Sequence, residues 1–290
     1  METPLQQQVG HISPARIQWL RFRKNPMTLV GAIVLLIFIL AAIFAPLLTS
    51  YDPSKVQMAA RLAGPSAAHW FGTDEVGRDI FTRILYGARL SLGMGISVVV
   101  IAGVLGTCIG AVAGYYGKAL GQTIMRIMDI MLAFPSLVLA MALTASLGAN
   151  LFNAMLAIAI VKIPVYVRLA RSETLVVKEK LFVKASITFG LSKFWIIMRH
   201  VIPNVIAPII IQVTIDLGDA ILLIATLGFL GLGAQPPAPE WGAMINTGWQ
   251  YFMDQWWYPT FPGCAIFLAT LSFNLLGDGL RDMLDPKSIR

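Results

Sequence analysis

The sequence predicts an all-α, polytopic membrane protein with six transmembrane helices and a helical cytoplasmic loop. Three observations point to this class. Of the 290 residues, 57% are hydrophobic and only 13% are charged, with a mean hydropathy of +0.73. A soluble domain has about 45–50% apolar and about 25% charged residues. The apolar residues fall in long runs, six of which approach or exceed the roughly 20 residues that cross a bilayer. The Lys and Arg residues lie between those runs and are distributed unevenly. The net charge of +7 therefore forms no continuous basic stripe. That excludes nucleic acid as a partner and leaves membrane lipid as the surrounding phase.

Residues 1–26 read as a polar tail in which Arg16, Arg21, Arg23 and Lys24 precede Asn25-Pro26. The first span, 27–48, is longer than the 7–15 residues, roughly, of a signal-peptide core, so it reads as a retained helix. The remaining spans are predicted at 91–117, 123–147, 151–170, 205–231 and 259–280, completing one membrane domain over 27–280. Residues 281–290 form a second tail. Pro135, Pro164 and Pro208 fall within spans, where neighbouring helices can satisfy the freed backbone groups.

Six spans place both termini on one side, and the basic residues choose it. With the N-terminal tail inside, the inner segments hold 17 Lys and Arg against five outside. Eight of the inner ones, from Lys162 to Arg199, are assigned to the fourth-to-fifth connection. The positive-inside tendency makes both tails and the 171–204 loop cytoplasmic.

Chemistry-bearing residues are few. Cys108 and Cys264 lie singly in apolar runs and read as small packing residues. His11, His69 and His200 are scattered, and no phosphate-binding loop, metal-ligand spacing or catalytic constellation is present in the sequence. Asp129 is spaced to pair with Arg126. Asp216 and Asp219 lie midway along the fifth span with no partner in their own helix. A carboxylate in lipid is costly, so the two either line a translocation path or pair with another helix or subunit.

Residues 71–83 read F-G-T-D-E-V-G-R-D-I-F-T-R. Thr73 is a candidate helix N-cap, with Asp74–Arg78 and Asp79–Arg83 at the favourable i, i+4 spacing. With Gly72 and Gly77 this reads first as scaffolding and second as a solute contact. Residues 225–244 carry Gly228, Gly231 and Gly233 as a small-residue ladder, then prolines that stop the helix. The Trp and Tyr residues between 241 and 258 suit a membrane interface.

The stretch 184–203 reads K-A-S-I-T-F-G-L-S-K-F-W-I-I-M-R-H-V-I-P. It resembles the EAA motif of importer permeases: Glu-Ala-Ala, three residues, Gly, nine residues, Ile-x-Leu-Pro. Ala185, Gly190 and Pro203 match it, whereas Lys184, Ser186, His200 and Ile202 replace the motif residues. Small side chains allow close approach of another protein, Gly190 permits an angle between two short helices, and Pro203 disfavours helix before it. An amphipathic connector on the lipid surface is the alternative. The 71–83 and 225–244 segments, and the ending 274–286, resemble the second permease subunit of dipeptide, oligopeptide and nickel importers of the ATP-binding-cassette (ABC) class, in look most of all those for D,D-dipeptides.

The resemblance implies a bacterial inner-membrane permease that is not itself an enzyme. It further implies a homologous second permease, two cytoplasmic ATPase subunits that use ATP and Mg, and an external solute-binding protein, with no cofactor on this chain. Peptides are the implied solute, with nickel or other metal chelates, glutathione and opines as alternatives. A secondary transporter with Asp216 or Asp219 carrying protons is the rival reading, and the sequence shows no internal repeat to favour it.

Overall fold

The computed structural model describes residues 25–284, and among them every helix or strand element is helical. The tail charges Arg16, Arg21, Arg23, Lys24, Lys287 and Arg290, with His11 and Pro286, lie outside the described residues. The chain order is α1 (Pro26–Ile43), α2 (Ala45–Leu48), α3 (Ile80–Tyr116), α4 (Lys118–Leu132), α5 (Ser136–Leu147), α6 (Leu151–Val177), α7 (Leu181–Thr188), α8 (Lys193–Ile196), α9 (Ile202–Phe229), α10 (Trp241–Trp249) and α11 (Trp257–Leu284).

Local chemistry sets several of these boundaries. The Asn25 side chain accepts from the amides of Met27 and Thr28 at 3.1 and 3.4 Å, capping α1 with Pro26 in the first turn, where a missing amide costs nothing. Arg89 donates to the carbonyls of Ala42 and Ile43 at the other end of α1. The α9 helix stops at Phe229, two residues before Gly231, whose φ of +77° is the left-handed conformation that ends helices. The prolines expected to stop it, Pro236 and Pro237, come later.

Among the described residues, five helical stretches are long and apolar enough to span: Pro26–Ile43, Ile80–Tyr116, Leu151–Val177, Lys193–Phe229 and Trp257–Met283. The third crossing is different. Helices α4 and α5 meet at 92°, at the Ala133-Phe134-Pro135 break. A ladder of small residues fixes its topology. A Cβ on Gly106, Gly110 or Gly114 of α3 would collide with Ile163 to Thr174 of α6, and the contacts advance together along both chains. Helices α3 and α6 are therefore parallel, so the chain returns between them through α4–α5.

The opposite ends of the bundle are distinct. One carries residues 49–79, α10 and the start of α11, with Trp241 fully buried and its indole N–H donating to the Ile84 carbonyl at 3.0 Å. The other carries α7 and α8. Gly279 closes on Thr28, and Gly31 on Leu275, placing the start of α1 and the end of α11 at the α7–α8 end.

The structure corrects several expectations. The second span begins at Ile80 rather than 91, and the fourth runs on to Val177 rather than 170. Lys162, Arg168 and Arg171 all lie in this helix, not in the connection to which the basic tally assigned them; the first two already fell within the predicted 151–170 span. Asp129 pairs with Arg168 at 2.8 Å, not with Arg126, because the facing helix offers a better-placed guanidinium. Cys108 and Cys264 are exposed rather than packed inside. Trp241 and Tyr258 are buried core members, so the aromatic belt is left to residues such as Trp249 and Trp256, both more than half exposed.

Candidate functional site

Three clusters hold the residues singled out in the sequence. The first is the α7–α8 knob. Gly190 has φ +76° and joins the two short helices, and beyond its immediate chain neighbours no atom lies within 4 Å of where a Cβ would stand. Ser192 caps α8, its hydroxyl facing the Trp195 amide at 3.5 Å. Ser186 is buried and donates to the Phe182 carbonyl at 2.8 Å, while Ala185 faces outward. Lys184 pairs with Glu179 at 2.9 Å. Pro203 starts α9 just after a π-helical turn, Ile197–Val201, in which His200 lies 6.3 Å from the Phe182 ring. Ile202 packs partly buried beneath it.

The knob has two unlike sides. Val183, Ile196, Ile197 and Val201 form a buried cluster with Ala111 of α3, Val177 of α6 and Val205 of α9. The outward side is apolar yet bare, with Leu181 84%, Phe189 83% and Phe194 66% exposed. A patch of this kind suits a docking surface for another protein or a place at the lipid surface. Its inner side is packed against the ends of three spans.

The second cluster is charged and lies midway along α6 and α9. Lys162 Nζ contacts Asp216 Oδ1 at 3.3 Å and closes tightly on Asp219 Oδ2. The two aspartates expected to lack a partner in their own helix are held by one lysine of the neighbouring helix. They are not equivalent. The Asp216 side chain is 10% exposed and the Asp219 side chain 54%. Sequence reasoning had the two carboxylates but missed Lys162, which lies more than fifty positions earlier.

The third cluster is the 72–79 turn. It is not the start of a helix, and Thr73 is not its cap. Thr73 forms an isolated antiparallel bridge with Asp79, its hydroxyl accepts from the Ala63 amide at 2.8 Å, and it donates to the Ala60 carbonyl. The α3 N-cap is Asp79, whose carboxylate accepts from the Thr82 amide and hydroxyl, both at 2.7 Å, and meets His69 at 2.9 Å. The fully buried Asp74 accepts from the Arg78 amide and guanidinium at 2.8 and 2.6 Å. Gly72 and Gly77 have φ of +76° and +79° and abut Ala63 and Gln57 backbone. The expected Asp79–Arg83 pair is not formed. Arg83 instead donates to the carbonyls of Pro53 and Pro237 at 2.8 and 3.2 Å, tying the two long loops at this end together.

One residue of this end was not anticipated. Glu240 is completely buried and caps α10, accepting from the Gly242 and Ala243 amides at 2.9 and 2.8 Å. Burial pushes its carboxyl up to about 7, even though these amides and Ser91 favour the ionised form. A Glu one position before a Trp-Gly pair carries no strong sequence signal.

Comparisons with known proteins agree with this architecture. Residues 106–290 match the family described as binding-protein-dependent transport system inner membrane component. Residues 13–65 match the N-terminal transmembrane domain of oligopeptide transport permease C. The chain is 53% identical over 274 residues to a probable D,D-dipeptide transport system permease protein of Escherichia coli, covering 94% of this chain and 92% of that one. It is 51% identical over 284 residues to a dipeptide transport system permease protein of Alkalihalophilus pseudofirmus, covering 98% and 93%. A glutathione transport system permease protein of Shigella sonnei is 44% identical over 270 residues, covering 93% and 89%. With these matches over the same bundle, the chain belongs to the binding-protein-dependent inner membrane component family, the multi-pass permeases of ABC importers, and is a transport subunit rather than an enzyme.

Proposed function

We propose that this chain forms, with a second homologous permease, the path by which an ABC importer carries di- or oligopeptides across the bacterial inner membrane. The observation that carries the coupling part of this reading is the α7–α8 knob: bare apolar side chains on one side, three spans on the other. Two ATPase subunits act from the cytoplasm, where both chain termini also lie, and one of them docks on this knob. ATP and Mg bind those subunits, and this chain holds no cofactor. Closure of the ATPases moves the knob, the spans rock between inward- and outward-facing states, and an external binding protein delivers the solute. Lys184, Ala185, Ser186, Gly190, His200, Ile202 and Pro203 belong to this coupling element. The Gly72–Arg83 turn braces the outer end.

Peptide is favoured over the other solutes because the two relatives above 50% identity carry dipeptide names, against 44% for the glutathione permease. The family also sets aside an ion-driven secondary transporter. The test combines uptake with assembly. The complex reconstituted in vesicles should accumulate dialanine with ATP and binding protein. Phe189→Asp, which places a charge on the most exposed aromatic of the knob, should release the docked ATPase from the purified complex while the permease pair stays together. Full ATPase retention in the variant contradicts the docking site, and failure to move any dipeptide contradicts the solute.

A further inference from the structure

The mid-membrane charge cluster poses a problem that its structural pairing does not solve. Lys162 is shared between two carboxyl groups, and among the described residues no second cation pairs with them. Asp216 is buried on the Lys162 side and spends one oxygen on the lysine. Its second oxygen and the fully buried Tyr166 hydroxyl lie beside each other without a well-formed hydrogen bond. Asp219 makes the closer contact with Lys162 yet keeps over half of its side chain exposed. An exposed carboxylate at this depth does not face lipid.

The rest of α9 shows what it does face. Asn204, Gln212, Asp219 and Thr226 recur at intervals of eight, seven and seven residues. At 3.6 residues per turn these fall on one side of the helix, within an arc of about 80°. None of the four is buried. The same arc also holds Pro208, Ile215 and Leu222, so the four polar groups are spaced steps on a mixed face that runs from the knob end to the α10 end.

We infer that Asp219 is a cation-receiving station on the translocation path, and that Lys162 is a tethered stand-in that holds the carboxylate until a solute ammonium replaces it. Asp216 is the positioning residue. Its buried carboxylate retains Lys162 when Asp219 lets go, so the lysine never loses a counter-charge. The substrate class is a primary ammonium, such as the free amino terminus of a peptide. This role rests on the proposed permease function, but its test is independent of which solute is carried.

The test reads the charge of this face directly. Leu222 lies one turn beyond Asp219 and is 48% exposed. In a complex with Cys108 and Cys264 replaced by serine, Leu222→Cys is treated with two thiosulfonates of similar size, one bearing a trimethylammonium and one a sulfonate. Their rate ratio is compared with that in the same variant also carrying Asp219→Asn. Residues at i, i+3 lie about 6 Å apart, where one charge in water changes the cation-to-anion rate ratio by roughly tenfold. The ratio should fall by about that factor in Asp219→Asn and be retained in Asp219→Glu. Asp216→Asn, which leaves Lys162 to Asp219 alone, should also lower it. Dialanine delivered with ATP and binding protein should slow the cationic reagent.

An unchanged ratio, or no reaction with either reagent, overturns the inference, the second result meaning that this face is packed against protein or lipid. Dialanine uptake by the unmodified complex is measured in parallel. A loss there with an intact charge effect speaks against the peptide reading and not against the cation station.

Discussion

Glu240 shows what a single side chain can do here. Its carboxyl is raised to about 7 by burial, so the folded state holds a proton that the unfolded chain has released. A raised acid contributes stability that is fully present below its ordinary value near 4.5 and is lost as pH rises through about 7. The difference amounts to an order of 3 kcal/mol. We predict that the purified complex melts at a lower temperature at pH 8 than at pH 5, and that Glu240→Gln flattens this dependence while keeping one acceptor for the α10 cap. An equal slope in the variant would show that Glu240 does not titrate in this range. At this scale the sequence was legible only in part. Asp216 and Asp219 stand out as charges in an apolar run, whereas Lys162 and Arg168 become their and Asp129's partners only when α6 packs against its neighbours. Local spacing proposed Arg126 for Asp129, and tertiary geometry prevailed.

Among the elements, the α3–α6 contact organises the bundle. At Gly106 a Cβ would lie 3.0 Å from the Ile163 carbonyl and 3.2 Å from the Val167 amide, both backbone atoms that cannot swing aside. Gly106→Val should therefore force the helices apart, at about 1–3 kcal/mol or more, and lower the melting temperature and yield of the complex. Gly93→Ala is the control, because nothing lies within 4 Å of its Cβ position. Equal stability of the two variants would contradict the packing account. The glycines at 106, 110 and 114 form a small-residue repeat visible in the sequence, yet nothing local says which helix they meet. Apolar runs located the spans but not their ends. Helix α3 extends well before its apolar part because Asp79 caps it, and Arg83 and Arg89 find carbonyl partners at that end. Pro135 read only as a tolerated proline within one continuous span, whereas the chain breaks by 92° just before it, where α4 and α5 both pack on α6.

For the whole molecule, the number of crossings follows from run lengths and from the parallel α3–α6 pair, and Gly279 against Thr28 puts the start of α1 and the end of α11 at one end of the bundle. The direction we propose, with the knob in the cytoplasm, rests on the basic residues and is open to test. A membrane-impermeant maleimide applied to intact cells should label Ala238→Cys, in the α9–α10 loop, and spare Ser192→Cys, in the knob, once Cys108 and Cys264 are replaced by serine. Ready labelling at 192 would reverse the molecule in the membrane and remove the knob from the reach of any cytoplasmic ATPase. The knob was legible in the sequence from the spacing of Ala185, Gly190 and Pro203. What the sequence could not show is that its inner side grips the ends of three spans, since those residues come from 111, 177 and 205.

If this knob transmits the work of ATP hydrolysis to the spans, Gly190 is the position at which transmission can be broken alone. Its left-handed backbone costs any other residue about 1–2 kcal/mol, while the lack of nearby atoms around its Cβ position leaves the bundle itself unstrained by a larger side chain. The measurement is ATP hydrolysis and dialanine uptake by the complex carrying Gly190→Val, reconstituted in vesicles with loaded binding protein. Membrane insertion and binding-protein docking should be normal. Either the docked ATPase should be lost or hydrolysis should no longer be stimulated by solute, with uptake reduced about tenfold. Normal association, stimulation and uptake in the variant would contradict transmission through the knob and make residues 184–203 a surface connector.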